Sequence, residues 1–361
     1  MVKSAHPWLR SLLRAGKKQQ RTVSRALKVI LATPRPKPTP KPKAKPKPRV
    51  ALDPVAPASG KWLASYLTGL SDTGVARRMR YWLYLPEVAP GRAGLPLIVM
   101  LHGCDQSATL FAQGTRMNQL AEKAGYAVVY PQQSVSTHPH RCWKWYDRAT
   151  QLGGGDVPMI VGIVDKVIQT YPIDSTRIYI CGISAGAGMA NIVALNHPDK
   201  FAAIGLHSAP LFGAGHSTVG ALGVMRHGAA LRVDSAIHEV LARRPGFPDL
   251  PTMLIQGNDD EVVRPVNQAQ LTRQAMLLNG LAAASSVEVT DKAGHRRLLP
   301  HRLHDVYKGR KLMLRVAQIA ELKHAWSGGD ERLSFNSGAG PDASKMLLDF
   351  FARHRRPSRP R

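Results

Sequence analysis

Residues 177–195 read RIYICGISAGAGMANIVAL and contain the pattern G-x-S-x-G at positions 182–186. The first residues form a short apolar run typical of a buried strand, and the residues after the pattern have a helical composition. Glycines on both sides of the serine permit a tight turn that presents its hydroxyl at the carboxyl end of the strand. We therefore predict that Ser184 is a nucleophile; the alternative is a glycine-rich turn whose serine only caps the helix.

Apolar runs on both sides of this stretch extend the pattern into a sheet. They alternate with segments of helical periodicity, such as residues 157–171 and 343–354. Continuous apolar strands separated by helices are typical of a mostly parallel sheet that is covered on both faces. The prediction is one α/β domain over residues 51–361. The runs are residues 81–85, 95–101, 126–130, 177–181, 203–206, 252–255 and 313–320.

A serine hydroxyl needs a general base, and that base needs a carboxylate to orient it. With this kind of turn, the order along the chain is serine, acid, histidine. The loop after residues 252–255 offers three candidate acids, Asp259, Asp260 and Glu261. His324 follows the last apolar run and is the preferred base; the alternative is an imidazole that packs structurally on Trp326. The histidines of the basic stretch at residues 295–310 are predicted to be surface residues of an exposed insertion.

Acyl transfer also needs hydrogen-bond donors for the oxyanion, and backbone N–H groups supply them without reorganisation. Ala185, the residue after the candidate nucleophile, offers one. The second is expected from residues 102–105, His-Gly-Cys-Asp, in the turn after the run 95–101. His102 is predicted to support this turn rather than to act as a base. Such a site needs no metal ion or organic cofactor, and none is predicted.

The chain has 361 residues and a net charge of +26, and residues 1–50 hold 15 Lys or Arg and no acid. Residues 1–33 have apolar positions at helical spacing, which predicts a basic amphipathic helix or else a solvated, disordered extension. Residues 34–50 alternate Pro with Lys or Arg, which is typical of an extended spacer. The N-terminal segment suits an anionic surface or a polymer granule, and nucleic acid is the less favoured partner.

Composition excludes several classes of protein. No run approaches the roughly 18–20 apolar residues of a membrane-spanning helix. The cysteines, Cys104, Cys142 and Cys181, are too few for a disulfide-rich scaffold or a four-cysteine zinc site. The N-terminal apolar run is shorter than the core of a secretion signal, so the sequence by itself predicts a cytoplasmic protein.

Several motifs occur in order between about residues 60 and 354. They are LHGCDQ at 101–106, YPQQ at 130–133, CWKWY at 142–146, Asp174 with Arg177, GISAG at 182–186, residues 201–208, and HAWSGG at 324–329. Together they resemble the esterase family named after poly(3-hydroxybutyrate) depolymerases, a group of α/β-hydrolases that includes feruloyl and acetyl-xylan esterases. The family places its aspartate three residues after the strand-end glycine, here Gly257, so the resemblance selects Asp260.

The resemblance implies an α/β-hydrolase fold and a serine esterase activity on hydroxyalkanoate polymer or oligomers. By position it assigns Ser184 as nucleophile and His324 as base, with the amides of Cys104 and Ala185 at the oxyanion. A carbohydrate esterase that releases feruloyl or acetyl groups is the alternative. A non-catalytic protein that binds granules or nucleic acid is a further alternative, against which the complete set of candidate residues argues.

The resemblance also bears on the surroundings of the site. Relatives pair two cysteines at the positions of Cys104 and Cys142, and many are secreted, so it implies a disulfide and an extracellular location. Lys144 stands where the family has asparagine, which changes a side chain next to the substrate pocket. Trp143, Trp145 and Trp326 are candidates for a hydrophobic or stacking subsite; the alternative is that these aromatic residues belong to the core.

Overall fold

A computed structural model describes residues 58–70, 74, 76–87, 94–281, 286–296 and 298–357. The N-terminal helix and spacer predicted at residues 1–33 and 34–50 lie outside these residues. Within the described ranges, no helix is long and apolar enough to cross a membrane.

The strands of the described residues form a ten-stranded sheet and a separate two-stranded pair. They are β1 (Lys61–Leu70), β2 (Ala76–Leu85), β3 (Leu95–Leu101), β4 (Ala127–Pro131), β5 (Ile173–Ile183), β6 (Ala203–His207), β7 (Thr252–Gly257), β8 (Ser286–Lys292), β9 (His301–Lys308), β10 (Lys311–Ile319), β11 (Trp326–Ser327) and β12 (Asn336–Ser337). The large sheet has the order β1-β2-β4-β3-β5-β6-β7-β10-β9-β8. Its six central strands, from β4 to β10 in that order, run parallel. The predicted mostly parallel sheet is confirmed.

Helices cover both faces of this sheet. They are α1 (Ala108–Thr115), α2 (Met117–Ala124), α3 (Arg148–Gln151), α4 (Val157–Thr170), α5 (Ala185–Asn196), α6 (Thr218–His227), α7 (Val233–Arg243), α8 (Val266–Leu278) and α9 (Ala343–Phe351), with a 3₁₀ turn at Ala230–Arg232. Successive side chains of a strand point to opposite faces. In β3, Leu97 and Val99 therefore join the core under α4 and α5, whereas Ile98 and Met100 join the core under α1, α2 and α9.

The basic stretch before β10 corrects one prediction. Instead of an exposed insertion, most of it forms β9, which pairs antiparallel with β10, and β8, which precedes the stretch, pairs antiparallel with β9. His295 is exposed, but His301 and His304 are half-buried because β9 lies between two other strands. All side chains of β8 are exposed, which explains why its sequence carries no apolar run.

The parallel strands bring their carboxyl ends to one edge of the sheet. The segments that follow β3, β5, β6 and β7 therefore lie side by side, and the segment after β10 joins them. In open α/β sheets, ligands bind at this edge. The edge carries the turn at residues 102–105, Ser184, the acidic loop and His324.

Candidate active site

The turn between β5 and α5 holds Ser184 in a backbone conformation that few side chains adopt. Its φ is 57° and its ψ is −126°, and such positions cost a residue other than glycine about 1–3 kcal/mol. The flanking glycines are required because a Cβ on Gly182 or Gly186 would overlap the backbone of Leu101 in β3. Ser184 N–H donates to His207 O at 3.0 Å, which ties the turn to the end of β6. The strand, turn and helix predicted around Ser184 are confirmed.

Two backbone amides near this turn have no acceptor in the part of the chain that the structure describes. Ala185 begins α5, and the first N–H groups of a helix have no intrahelical partner. In the turn after β3, Gly103 N–H donates to the Gln106 side chain at 2.8 Å, and Asp105 N–H donates to a backbone carbonyl at 2.6 Å. The amide between them, that of Cys104, stays free. These are the two amides expected at the oxyanion.

His102 holds this turn in place. It is fully buried, and burial lowers its pKa to about 4, so the imidazole is neutral near pH 7. Nδ1–H donates to Gly103 O at 2.8 Å, and Nε2 accepts the N–H of Gln133 at 3.1 Å. The indole N–H of Trp143 donates to His102 O at 2.9 Å. The imidazole therefore has the supporting position predicted for it.

A disulfide joins the same turn to the segment after β4. Cys104 and Cys142 are bonded, with their Cα atoms 4.3 Å apart and a separation of 38 residues in sequence. The pairing that the resemblance implies is therefore present. Cys181, in β5, is a buried free thiol whose pKa is raised by burial.

The acid and the base expected from sequence meet in the structure. His324 Nδ1 lies 2.8 Å from Asp260 Oδ2. Asp260 is buried, with 2% of its surface exposed, whereas Asp259 and Glu261 are exposed. The structure thus brings one of the three candidate acids to His324, and it is the one that the resemblance selects.

Several donors stabilise Asp260 as a carboxylate. Two backbone N–H groups of its own loop donate to Oδ1 at 3.0 and 2.9 Å, and Gln256 Nε2 donates to Oδ2 at 3.1 Å. Burial by itself would raise the pKa of Asp260, but the bond and charge of His324, one loop amide and the Ser208 hydroxyl lower it below its usual value. An ionised Asp260 can hold the Nδ1–H of a neutral imidazole, which leaves Nε2 free to accept a proton.

A pocket of about 670 Å³ opens beside this pair, lined by residues 258–262, Arg264, Pro265, Lys323 and His324. The His324 side chain is 12% exposed and that of Asp260 is 0% exposed, so the base reaches solvent while the acid does not. No group of three or more His, Cys, Asp or Glu side chains that could hold a metal ion occurs among the described residues.

Ser184 and His324 lie on loops that contact the same residue, His207. Ser184 donates its N–H to His207 O, and the His207 imidazole accepts the N–H of Ser327, three residues beyond His324, at 3.3 Å. Within the described residues, no hydrogen bond joins Ser184 Oγ to His324. In free enzymes such contacts are often long and shorten when substrate binds. The structure joins acid and base directly and holds the serine on a neighbouring loop.

Comparison with known proteins assigns the chain to a family. Residues 79–298 match the family described as esterase PHB depolymerase, which is more than half of the chain. The chain belongs to this family. The match includes Ser184 and Asp260 and ends before His324.

Individual relatives match parts of the chain. The chain is 28% identical to poly(3-hydroxyalkanoate) depolymerase C of Paucimonas lemoignei over 258 residues, 68% of this chain and 59% of that protein. It is 28% identical to the probable acetylxylan esterase A of Aspergillus clavatus over 202 residues, 54% of this chain and 64% of that protein. It is 34% identical to feruloyl esterase B of Talaromyces funiculosus over 160 residues, 42% of this chain and 44% of that protein. The chain thus spans less than two-thirds of the length of each.

Among solved structures, the acetyl xylan esterase from Aspergillus awamori has a similar fold. The TM-score is 0.61 at 18% sequence identity, and the superposition covers 80% of this chain and 99% of that one. The expected α/β-hydrolase fold is confirmed.

The three tryptophans considered as a substrate subsite are buried. Trp143, Trp145 and Trp326 are 0%, 4% and 1% exposed. Trp326 stacks on His207 with ring centroids 5.2 Å apart, and its indole N–H donates to Ser344 Oγ. A stacking subsite needs an indole face that is open to substrate, so this burial speaks against that role for Trp143 and Trp326. Both support the site from the core side.

Sequence reasoning misses His207 and Ser208, which end and follow β6. Both are buried, and the Ser208 hydroxyl lowers the pKa of Asp260. The available signal was their place at the carboxyl end of a strand and at the end of the family motif at residues 201–208. A short His-Ser pair after an apolar run does not by itself indicate contact with a distant carboxylate.

Proposed function

We propose that this chain is a serine carboxylic ester hydrolase that acts through Ser184, His324 and Asp260. The observation that carries the proposal is the hydrogen bond from His324 Nδ1 to the buried Asp260 carboxylate, at the sheet edge where the strained Ser184 turn lies. A buried carboxylate on Nδ1 favours the tautomer whose Nε2 accepts a proton. Membership of an esterase family supports an ester as the substrate.

The proposed reaction is a two-step acyl transfer. His324 Nε2 takes the proton of Ser184 Oγ as that oxygen attacks the ester carbonyl, and the amides of Cys104 and Ala185 bind the oxyanion. Collapse of the intermediate breaks the bond to the leaving alcohol, which receives the proton from His324. Water then attacks the acyl-enzyme with the same histidine as base, which releases the acid and restores Ser184.

The proposed substrate is a hydroxyalkanoate ester, as polymer or oligomer. The poly(3-hydroxyalkanoate) depolymerase relative supports it, because its match covers 68% of this chain against 54% and 42% for the acetylxylan and feruloyl esterases. Those two relatives favour a carbohydrate esterase as the second candidate.

Replacing Ser184 by alanine tests the mechanism. We expect Ser184→Ala to lose hydrolysis of p-nitrophenyl butyrate by at least about a thousandfold, since the nucleophile is removed. Labelling by a fluorophosphonate probe should disappear, while the circular dichroism spectrum stays the same. Ser334→Ala changes an exposed serine and serves as the matched control, which should retain both signals. Turnover by Ser184→Ala at the wild-type rate would overturn the proposal.

A substrate panel separates the two ester classes. Clearing of polyhydroxybutyrate film and cleavage of hydroxybutyrate trimers should depend on Ser184, and acetylxylan and methyl ferulate should be poor substrates. Faster release of acetate or ferulate than of hydroxybutyrate would reject the hydroxyalkanoate substrate and leave the serine mechanism standing.

We also propose that residues 1–50 bind a negatively charged surface, a polymer granule first of all. The 15 bases without an acid and the apolar positions at helical spacing support this role. The full chain should sediment with polyhydroxybutyrate granules and with anionic vesicles. A variant with Lys17, Lys18, Arg21 and Arg25 changed to Gln should bind both severalfold less. Equal sedimentation of the two chains, or binding to DNA alone, would contradict the proposal.

A further inference from the structure

Three separate parts of the chain stabilise the Asp260 carboxylate. Its own loop and the end of β7 supply two backbone amides and the Gln256 side chain, and the segment after β10 supplies His324. The third part is the residue after β6, Ser208, whose hydroxyl lowers the pKa of Asp260. The proposed mechanism accounts for His324 but gives no reason for this donor from a neighbouring strand.

Ser208 is held in a conformation that disfavours serine. Its φ is 48°, in the left-handed region that favours glycine, and its exposed fraction is 0%. The backbone is fixed there because Ser208 N–H donates to Ile255 O, in β7, at 2.8 Å. Residues held in such positions cluster at functional sites, where the placement of a side chain offsets the cost. A glycine would suit this backbone better, but it would lack the hydroxyl.

His207 determines which way the Ser208 hydroxyl points. The imidazole accepts the N–H of Ser327 at Nε2, so the proton of the neutral ring is on Nδ1. Nδ1 lies 3.1 Å from Ser208 Oγ and donates to it. Because the hydroxyl oxygen already accepts this bond, its own hydrogen is available to Asp260, which can only accept.

Burial keeps this imidazole neutral, and one ring contact fixes its orientation. Burial lowers the pKa of His207 to about 3, so the ring carries no charge near neutral pH. Trp326 stacks on it with ring planes 23° apart. His207 is therefore not a competitor of His324 for the role of base, because it is buried and both of its nitrogens are engaged.

We propose that Ser208 and His207 are positioning residues for the candidate catalytic acid. His207 fixes the Ser208 hydroxyl, and Ser208 holds the Asp260 carboxylate in the plane from which it orients His324. The hydrogen bonds run in one direction from the Ser327 amide through His207 and Ser208 to Asp260. This inference rests on the proposed function, since it needs Asp260 and His324 to take part in the reaction.

Two substitutions of Ser208 separate its hydroxyl from its backbone strain. Ser208→Ala removes the hydroxyl and keeps the strained Cβ, whereas Ser208→Gly removes the hydroxyl and relieves the strain. We expect both to lower kcat for p-nitrophenyl butyrate by about tenfold, the effect of losing one bond to a charged group. KM should stay the same, and Ser208→Gly should melt at a higher temperature than Ser208→Ala.

Arg296→Gly is the matched control, because Arg296 also has a positive φ, 53°, but is exposed and remote from Asp260 in sequence. Its kcat should equal that of the wild type. If activity instead follows stability, so that Ser208→Gly is as active as the wild type while Ser208→Ala is impaired, the hydroxyl has no positioning role and the proposal fails.

A double-mutant cycle tests the link to His207. His207→Phe keeps an aromatic ring against Trp326 and removes both hydrogen bonds. It should lower kcat severalfold in the wild type and should have no further effect on kcat in Ser208→Ala, because its action passes through that hydroxyl. Additive effects would overturn the proposed order of contacts.

The same assays separate this inference from the proposed function. If wild type and Ser184→Ala hydrolyse the ester equally, the proposed function fails. If Ser184→Ala is inactive but both Ser208 variants turn over like the wild type, the hydrolase stands and the positioning role alone is wrong.

Discussion

Two serines of the site have φ values at which glycine is usual, 57° for Ser184 and 48° for Ser208. Each is tied by its backbone N–H to a carbonyl of a neighbouring strand, Ser184 to His207 and Ser208 to Ile255. The sheet therefore imposes both conformations, and the local cost is offset by packing elsewhere. At both positions a strained backbone places a hydroxyl. This is expected of a functional site, where the position of a side chain matters more than the local conformational energy.

Replacing each of two neighbouring acids by asparagine tests which of them orients His324. Asp260→Asn should lower kcat by about a thousandfold or more, because an amide can donate to His324 Nδ1 and so stabilise the wrong tautomer. Asp259→Asn should stay within about twofold, since this side chain is exposed and bonds to no described group. Steady-state hydrolysis of p-nitrophenyl butyrate measures both variants, with melting temperatures as a check on folding. The reverse ranking would move the acid by one position.

Elements inside the sheet are predictable from sequence, and those at its edges are not. In β3, LPLIVML, every residue is buried, and an apolar run of this kind indicates a strand with cores on both faces. In β8, SVEVTDK, every residue is exposed, so nothing in its composition separates it from a loop. The site divides in the same way. G-x-S-x-G and chain order predict Ser184 and His324, whereas the same pattern leaves three adjacent acids. The choice of Asp260 among them needed the family resemblance, and the structure agrees because Asp260 alone of the three is buried.

The sequence also could not predict that Ser208 and Asp260 lie close together. Ser208 lies after β6 and Asp260 after β7, and only the parallel pairing of these strands brings them together. The sequence also left open whether Trp143 and Trp326 belong to the core or to a subsite, because aromatic residues occur in both.

Removing the disulfide should change both the stability and the activity of the protein. Cys142→Ser should lower the free energy of unfolding by about 3–4 kcal/mol, the value expected for a loop of this length. It should also reduce kcat, because Cys104 carries one of the amides proposed for the oxyanion. Urea unfolding and ester hydrolysis measure the two effects. In the wild type, thiol titration in denaturant should find one group, Cys181; three reactive thiols would contradict the bridge.

Burial of uncharged histidines makes the stability of the whole molecule depend on pH. Burial lowers the pKa of His102 to about 4, of His207 to about 3 and of His354 to about 4. An unfolded imidazole binds its proton near pH 6.5, so below that pH the unfolded chain holds protons that the folded chain lacks. The free energy of unfolding therefore falls as the pH falls from about 6.5 towards 4. Asp342, whose pKa is raised by burial, opposes this by at most one proton. The expected slope is about 3–4 kcal/mol per pH unit.

His354 offers a direct test of this dependence. It is 3% exposed, its ring lies 4.5 Å from that of Phe350, and neither ring nitrogen has a hydrogen-bond partner among the described residues. His354→Phe replaces it by an apolar ring of similar shape. The free energy of unfolding near pH 7.5 should rise by about 1 kcal/mol, because two unpaired polar atoms leave the core. The slope should fall by about 1.4 kcal/mol per pH unit, the share of one proton. Urea unfolding between about pH 5 and pH 7.5 measures both quantities, and ester turnover checks that the site is intact. A slope equal to that of the wild type would mean that His354 takes up its proton in the folded protein as well, which burial without a partner should prevent.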